Sequence, residues 1–127
     1  MPNAGTVVSI NATSGDLLID GDPNWDDQVL RVDGKIIESA YTSPAGEAVA
    51  ADVRGWPEDS QDPLMMGIWY VGPDNNHENR NNFMMSIGRS KEGLMDITEV
   101  YALDPMTIKY SVVVQTKWVL VLKFVDA

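Results

Sequence analysis

Apolar residues along this chain come in short runs with turn-forming clusters between them, and they hardly anywhere recur at the 3.6-residue spacing of a helix. The runs are rich in valine, isoleucine and aromatic residues, which suit a pleated, half-buried surface. They predict strands near residues 6–12, 16–19, 28–32, 35–41, 47–53, 65–71, 82–88, 94–103, 107–115 and 117–125. Helix competes only at "GEAVAADVR" (46–54), where alanine and glutamate favour it. There the alternation of Val49, Ala51 and Val53 fits a strand, and strand is the expectation.

Turn chemistry supports the same division. Asp33-Gly34, inside "VLRVDGKIIES", suits a two-residue type I′ hairpin turn, because that turn needs positive φ at both central positions. "SPAGE" (43–47), "SKEG" (90–93) and "LDP" (103–105) mark further turns by their proline and glycine.

Alternation assigns faces. In 94–103, Met95, Ile97, Tyr101 and Leu103 are expected on one face with Glu99, and Asp96 and Thr98 on the other. In 107–115, Ile108, Tyr110, Val112 and Val114 oppose Thr107, Lys109 and Ser111. The last run, "KWVLVLKFV", is apolar on both faces and is expected to be a central or covered strand. The whole predicts a single all-β domain over residues 1–127, an antiparallel β-sandwich or small β-barrel of about 8–10 short strands.

Composition narrows the function classes. The formal net charge is −10, which argues against nucleic-acid binding, since that needs basic surface to displace counterions. The charge is uneven: residues 1–62 hold 12 acids against Arg31, Lys35 and Arg54, whereas residues 63–127 hold 7 acids against 6 bases. An acidic first half serves solubility or forms an acidic, calcium-binding rim. With no cysteine there is no disulfide, thiolate metal site or cysteine nucleophile, and the compartment stays open. No apolar run is long enough for a membrane span, and "MPNAGTVVSI" shows no export signal.

Candidate chemistry lies mainly in the connections. "PDNNHENRNN" (73–82) holds the chain's one histidine, and it is longer than a hairpin loop needs to be. Asp74, Asn76, His77, Glu78 and Arg80 supply donors and acceptors suited to a hydroxyl-rich ligand, or to a phosphate held by Arg80. The same residues also make an ordinary solvated turn. A catalytic His77 is disfavoured: no nucleophile elbow is present, and one histidine does not make a zinc site.

In "DGDPNWDDQ" (20–28), Asp20, Asp22, Asn24 and Asp26 alternate as oxygen ligands do in a calcium loop. The EF-hand pattern fails, because Trp25 stands where glycine is needed and Arg31 where glutamate is needed. A β-type calcium loop and a plain turn remain. Trp25 and Trp56 sit among turn formers and acids, where an indole can cover a sugar face while carboxylates and amides bind hydroxyls. Trp69 and Trp118 lie in apolar runs and are expected in the core.

Met65-Met66 and Met84-Met85 flank the 73–82 segment. Methionine fills irregular space, so Met66 and Met85 with Trp69, Tyr70, Tyr101 and Tyr110 define either core filler or a lipophilic pocket. Paired acids such as Asp26-Asp27 and Glu58-Asp59 are too common here to single out a glycosidase. No diagnostic motif of lipocalin-like barrels, barrel cyclases or compact lectins can be matched residue by residue.

Three expectations follow. The first is a cofactor-independent, non-catalytic domain that recognises carbohydrate through its Trp-, Asn- and Asp-rich loops, with calcium at 20–27 as an optional ion. The second is a barrel binding a small apolar molecule in the Met/Trp/Tyr pocket, with cyclase or isomerase chemistry if it is an enzyme. The third is an assembly protein, forming a homo-oligomer or a complex through the apolar C-terminal strand.

Overall fold

A computed structural model describes residues 4–20, 30–32, 35–36, 41–54, 64–72, 83–102 and 108–127. Among the described residues eleven strands are present: β1 (Ala4–Ala12), β2 (Asp16–Asp20), β3 (Leu30–Val32), β4 (Lys35–Ile36), β5 (Tyr41–Ser43), β6 (Ala48–Arg54), β7 (Leu64–Gly72), β8 (Phe83–Arg89), β9 (Met95–Ala102), β10 (Ile108–Gln115) and β11 (Val119–Asp126). They form a six-stranded sheet in the order β10-β11-β1-β6-β3-β4 and a five-stranded sheet in the order β5-β2-β7-β8-β9. The fold is all-β and sandwich-like. Of the two expected architectures the barrel is not found, because the sheets do not close on each other.

One core fills the space between the sheets. Val7, Val49, Ala51, Leu120, Leu122 and Phe124 come from the six-stranded sheet; Leu17, Ile19, Met66, Ile68, Phe83, Met85, Ile87 and Met95 come from the other. Each fully buried aliphatic side chain contributes about 1.5–3 kcal/mol relative to exposure. The 46–54 segment is a strand, as its alternation predicts: Val49 and Ala51 are buried, while Ala48, Ala50 and Asp52 are exposed.

Pairing explains several local expectations. Val32 stands opposite Lys35 at the end of the β3–β4 pair, and the Asp33-Gly34 turn itself lies outside the described residues. Gly46 and Gly93 have φ of 86° and 81°, the left-handed region that glycine enters without a Cβ penalty, and they sit in the turns marked by "SPAGE" and "SKEG". The "LDP" turn lies outside the described residues.

The structure corrects four expectations. The 35–41 run is not one strand: Lys35–Ile36 belongs to the first sheet and Tyr41–Ser43 to the second, because the chain crosses between layers there. Pairing is not wholly antiparallel, since β1 and β11 run parallel from Thr6 opposite Val119 to Ala12 opposite Val125. A bulge in β9 puts Ser86 opposite Glu99 but Ile87 opposite Ile97, leaving Thr98 as the extra residue. The face pattern therefore slips by one, so Val100, opposite the buried Met85, packs on the core, and Tyr101 stands opposite Met84. A second bulge, at Val113, pairs Val112 with Leu122 and Val114 with Val121, so Val112 and Val114 lie on opposite faces.

Candidate functional site

The loop-borne candidates Trp25, Trp56, Asp74, Asn76, His77, Glu78 and Arg80 lie outside the described residues, as do Asp22, Asn24 and Asp26 of the calcium pattern. Asp20 ends β2 opposite Gly67. Among the described residues, no three metal-type side chains gather at one point.

Of the alternative pocket residues, Met66, Trp69, Tyr70, Met85 and Tyr110 have described side chains, and that of Tyr101 lies outside the described ones. Met66 and Met85 face each other across β7 and β8 and are both fully buried. Tyr110 packs on Phe83 edge-to-face at 5.4 Å and on Phe124 at 6.4 Å. Tyr70 packs against the same core, and its hydroxyl lies 2.9 Å from Ser14 Oγ. Trp69, next along β7, is half-buried, and Leu18 stands opposite it. Met66, Met85, Tyr70 and Tyr110 thus share the inter-sheet layer.

Two polar clusters close one end of the sandwich. Buried Asn11 donates from Nδ2 to the carbonyls of Gly15 (2.9 Å) and Ser43 (2.7 Å). Its Oδ1 accepts from the Thr13 N–H at 3.0 Å and the Thr13 hydroxyl at 2.6 Å. This fixes the 12–15 turn and ties β1 to β5. Beside it, Asp126 Oδ1 accepts from Ser14 N–H and Oγ at 3.3 and 3.2 Å. Ser14 thereby links β7 and β11 through side chains.

The opposite corner carries the exposed apolar surface. Among the described residues β10 is an edge strand, and Val112, Val113 and Val114 are 44%, 52% and 43% exposed. Monomeric proteins usually protect such an edge, because its free N–H and C=O groups invite another strand. The turn leading into β11 adds Trp118, which is 38% exposed and covered on one face by the Arg89 guanidinium at 5.2 Å. That contact is a cation–π arrangement. Arg89 also donates to the carbonyls of Gly93 and Lys117, joining the 90–93 turn to the β10–β11 turn. Met95 N–H donates to Thr116 O, and Gln115 Nε2 to Met95 O, so the two sheets meet here.

Trp118 was expected in the core. The correction is that the chain turns at Thr116, whose hydroxyl accepts from the Trp118 and Val119 N–H groups at 3.2 and 2.9 Å. Such a threonine turn contains no glycine or proline, and Gln115-Thr116-Lys117, three polar residues between apolar runs, is the signal that marks it. The doubly apolar β11 is central, as expected, held between β10 and β1. Among the described residues the C-terminal strand thus has no open edge, whereas β10, like β4, β5 and β9, has one. No protein-family model matches the chain, and no characterised protein matches it in sequence.

Proposed function

We propose that this protein is an interaction module whose working surface is the free edge of β10, to which an extended segment of a partner adds as a further strand. The single observation that supports the reading is the run Val112-Val113-Val114, three consecutive valines each more than two-fifths exposed on an edge strand. In such strand addition, main-chain hydrogen bonds supply affinity and alternate side chains supply specificity. Arg89, Trp118 and Gln115 brace the end of that edge, so it is presented on a fixed corner. The carbohydrate expectation rests on Trp25, Trp56 and residues 73–82, and no described residue favours it over the edge.

The test is selection of extended peptides of about ten residues from a random library, followed by mapping of amide shifts on the labelled protein. The edge reading expects shifts over 108–115 and loss of binding in Val113→Lys, with thermal unfolding unchanged. A glycan response removed by Trp25→Ala or Trp56→Ala, with β10 amides indifferent to every peptide, would move the working surface to the loops.

A further inference from the structure

We infer that the segment accepted by β10 is an acidic–apolar one, with apolar side chains at alternate positions and carboxylates between them. The inference rests on the edge reading above and deepens it by naming the partner's chemistry.

The two faces of β10 make different demands on an incoming strand. Tyr110 and Val112 stand opposite Phe124 and Leu122, both fully buried, so they share the inward face. Val112 is nevertheless 44% exposed, because it lies at the rim of the inter-sheet layer. A side chain placed beside Tyr110 and Val112 would extend that layer and exclude water, which apolar residues do favourably. On the outward face, Lys109 stands opposite Val125 and Ser111 opposite Lys123, so the two lysines are diagonal neighbours. Both are exposed, and neither forms an ion pair among the described residues. In a chain with 19 acids and 9 bases, two adjacent lysines that pair with no carboxylate among the described residues form a local exception. A side chain placed beside Lys109 and Ser111 is best matched by a carboxylate. Strand geometry sends successive side chains to opposite faces, so the two demands alternate along one peptide.

The same charges argue against a second copy of the chain. Lys109 is the one charged residue of β10, so self-pairing brings it no acid. An edge lysine and a bulge discourage indiscriminate pairing. β10 has both, at Lys109 and Val113, and the lysine becomes an attraction only for an acidic strand. The carboxylates elsewhere on the molecule do not cancel this at contact, because charges more than about 8 Å apart are largely screened at physiological salt.

The experiment uses the whole chain and synthetic peptides of about nine residues that alternate valine with glutamate, threonine or lysine. Amide shifts locate binding, and titrations compare affinities at low and high salt. The glutamate peptide is expected to bind at β10 about three- to tenfold more tightly than the threonine peptide, and the lysine peptide most weakly. Salt should narrow the gap, and the double variant Lys109→Glu/Lys123→Glu should reverse the order. Equal affinity of all three peptides at β10 leaves the edge reading standing and overturns the acidic preference. Binding of the glutamate peptide that strengthens with salt overturns it too. Failure of every peptide to move the β10 amides overturns the edge reading itself. Self-association in sedimentation, abolished by Val113→Lys, makes the occupant a second copy and overturns this inference.

Discussion

Asn11 and Ser43, 32 residues apart in the chain, are joined by a 2.7 Å hydrogen bond from the Asn11 amide to the Ser43 carbonyl. The bond crosses from the six-stranded sheet to the five-stranded one, and Asn11 is fully buried where it forms. A carboxamide suits the position because it donates to two carbonyls and accepts two further bonds. Asn11→Ala leaves those partners buried and unpaired and should lower stability by about 2–4 kcal/mol, read from urea unfolding. Asn11→Asp should lose more at neutral pH than at acid pH. Burial and the two facing carbonyls raise the introduced carboxyl's pKa in the folded state, so the deficit grows as pH rises past the ordinary aspartate range. Equal deficits at about pH 4 and about pH 7 would sink this account.

Ser43 offers the contrast. Its hydroxyl is fully buried and has no hydrogen-bond partner among the described residues, although its carbonyl holds Asn11. Removing an unsatisfied buried hydroxyl relieves a desolvation penalty. Ser43→Ala should therefore unfold at an equal or higher urea concentration than the parent, by up to about 1 kcal/mol. A loss of similar size would show that the hydroxyl has found a partner in solution.

Met66 and Met85 oppose each other at the centre of the second sheet. Each methionine-to-alanine change should cost about 2–5 kcal/mol, the usual range for a buried large-to-small substitution. Because the two side chains share one neighbourhood, the double variant should depart from additivity by at least about 0.5 kcal/mol. A strictly additive cycle would mean that the two sulfurs sit in separate packing environments.

Arg89 ties two turns and one indole together. Arg89→Lys keeps the charge but gives up the planar fork that reaches the Gly93 and Lys117 carbonyls while lying over Trp118. Hydrogen exchange should quicken at the amides of 116–119 in this variant, while the 12–15 turn at the other end keeps its protection. Exchange unchanged at 116–119 would show that Thr116 alone holds the turn.

The β-strand content was legible because strand formation is a local matter. Alternation in "AVAADVR" outweighed its alanines, and the two β-prone runs flanking Asp33-Gly34 pair antiparallel, Val32 opposite Lys35. Faces were less legible wherever a bulge intervened. Nothing in "LMDITEVYAL" signals that Thr98 is an extra residue, yet that one insertion moved Val100 onto the core. The bulge at Val113 separated Val112 from Val114 in the same way.

Sequence alone determined that this chain is built of strands, roughly where they lie, that the last of them is interior, and that the molecule carries strong negative charge. Those properties follow from backbone preference, side-chain period and titratable groups, each read within a few residues. Tertiary structure decided which strands lie at the sheet edges, that β1 and β11 run parallel, and that Trp118 is exposed while Asn11 is buried. These depend on which distant segments meet, and the partner of an edge is set by the whole sheet order rather than by the residues of the edge itself.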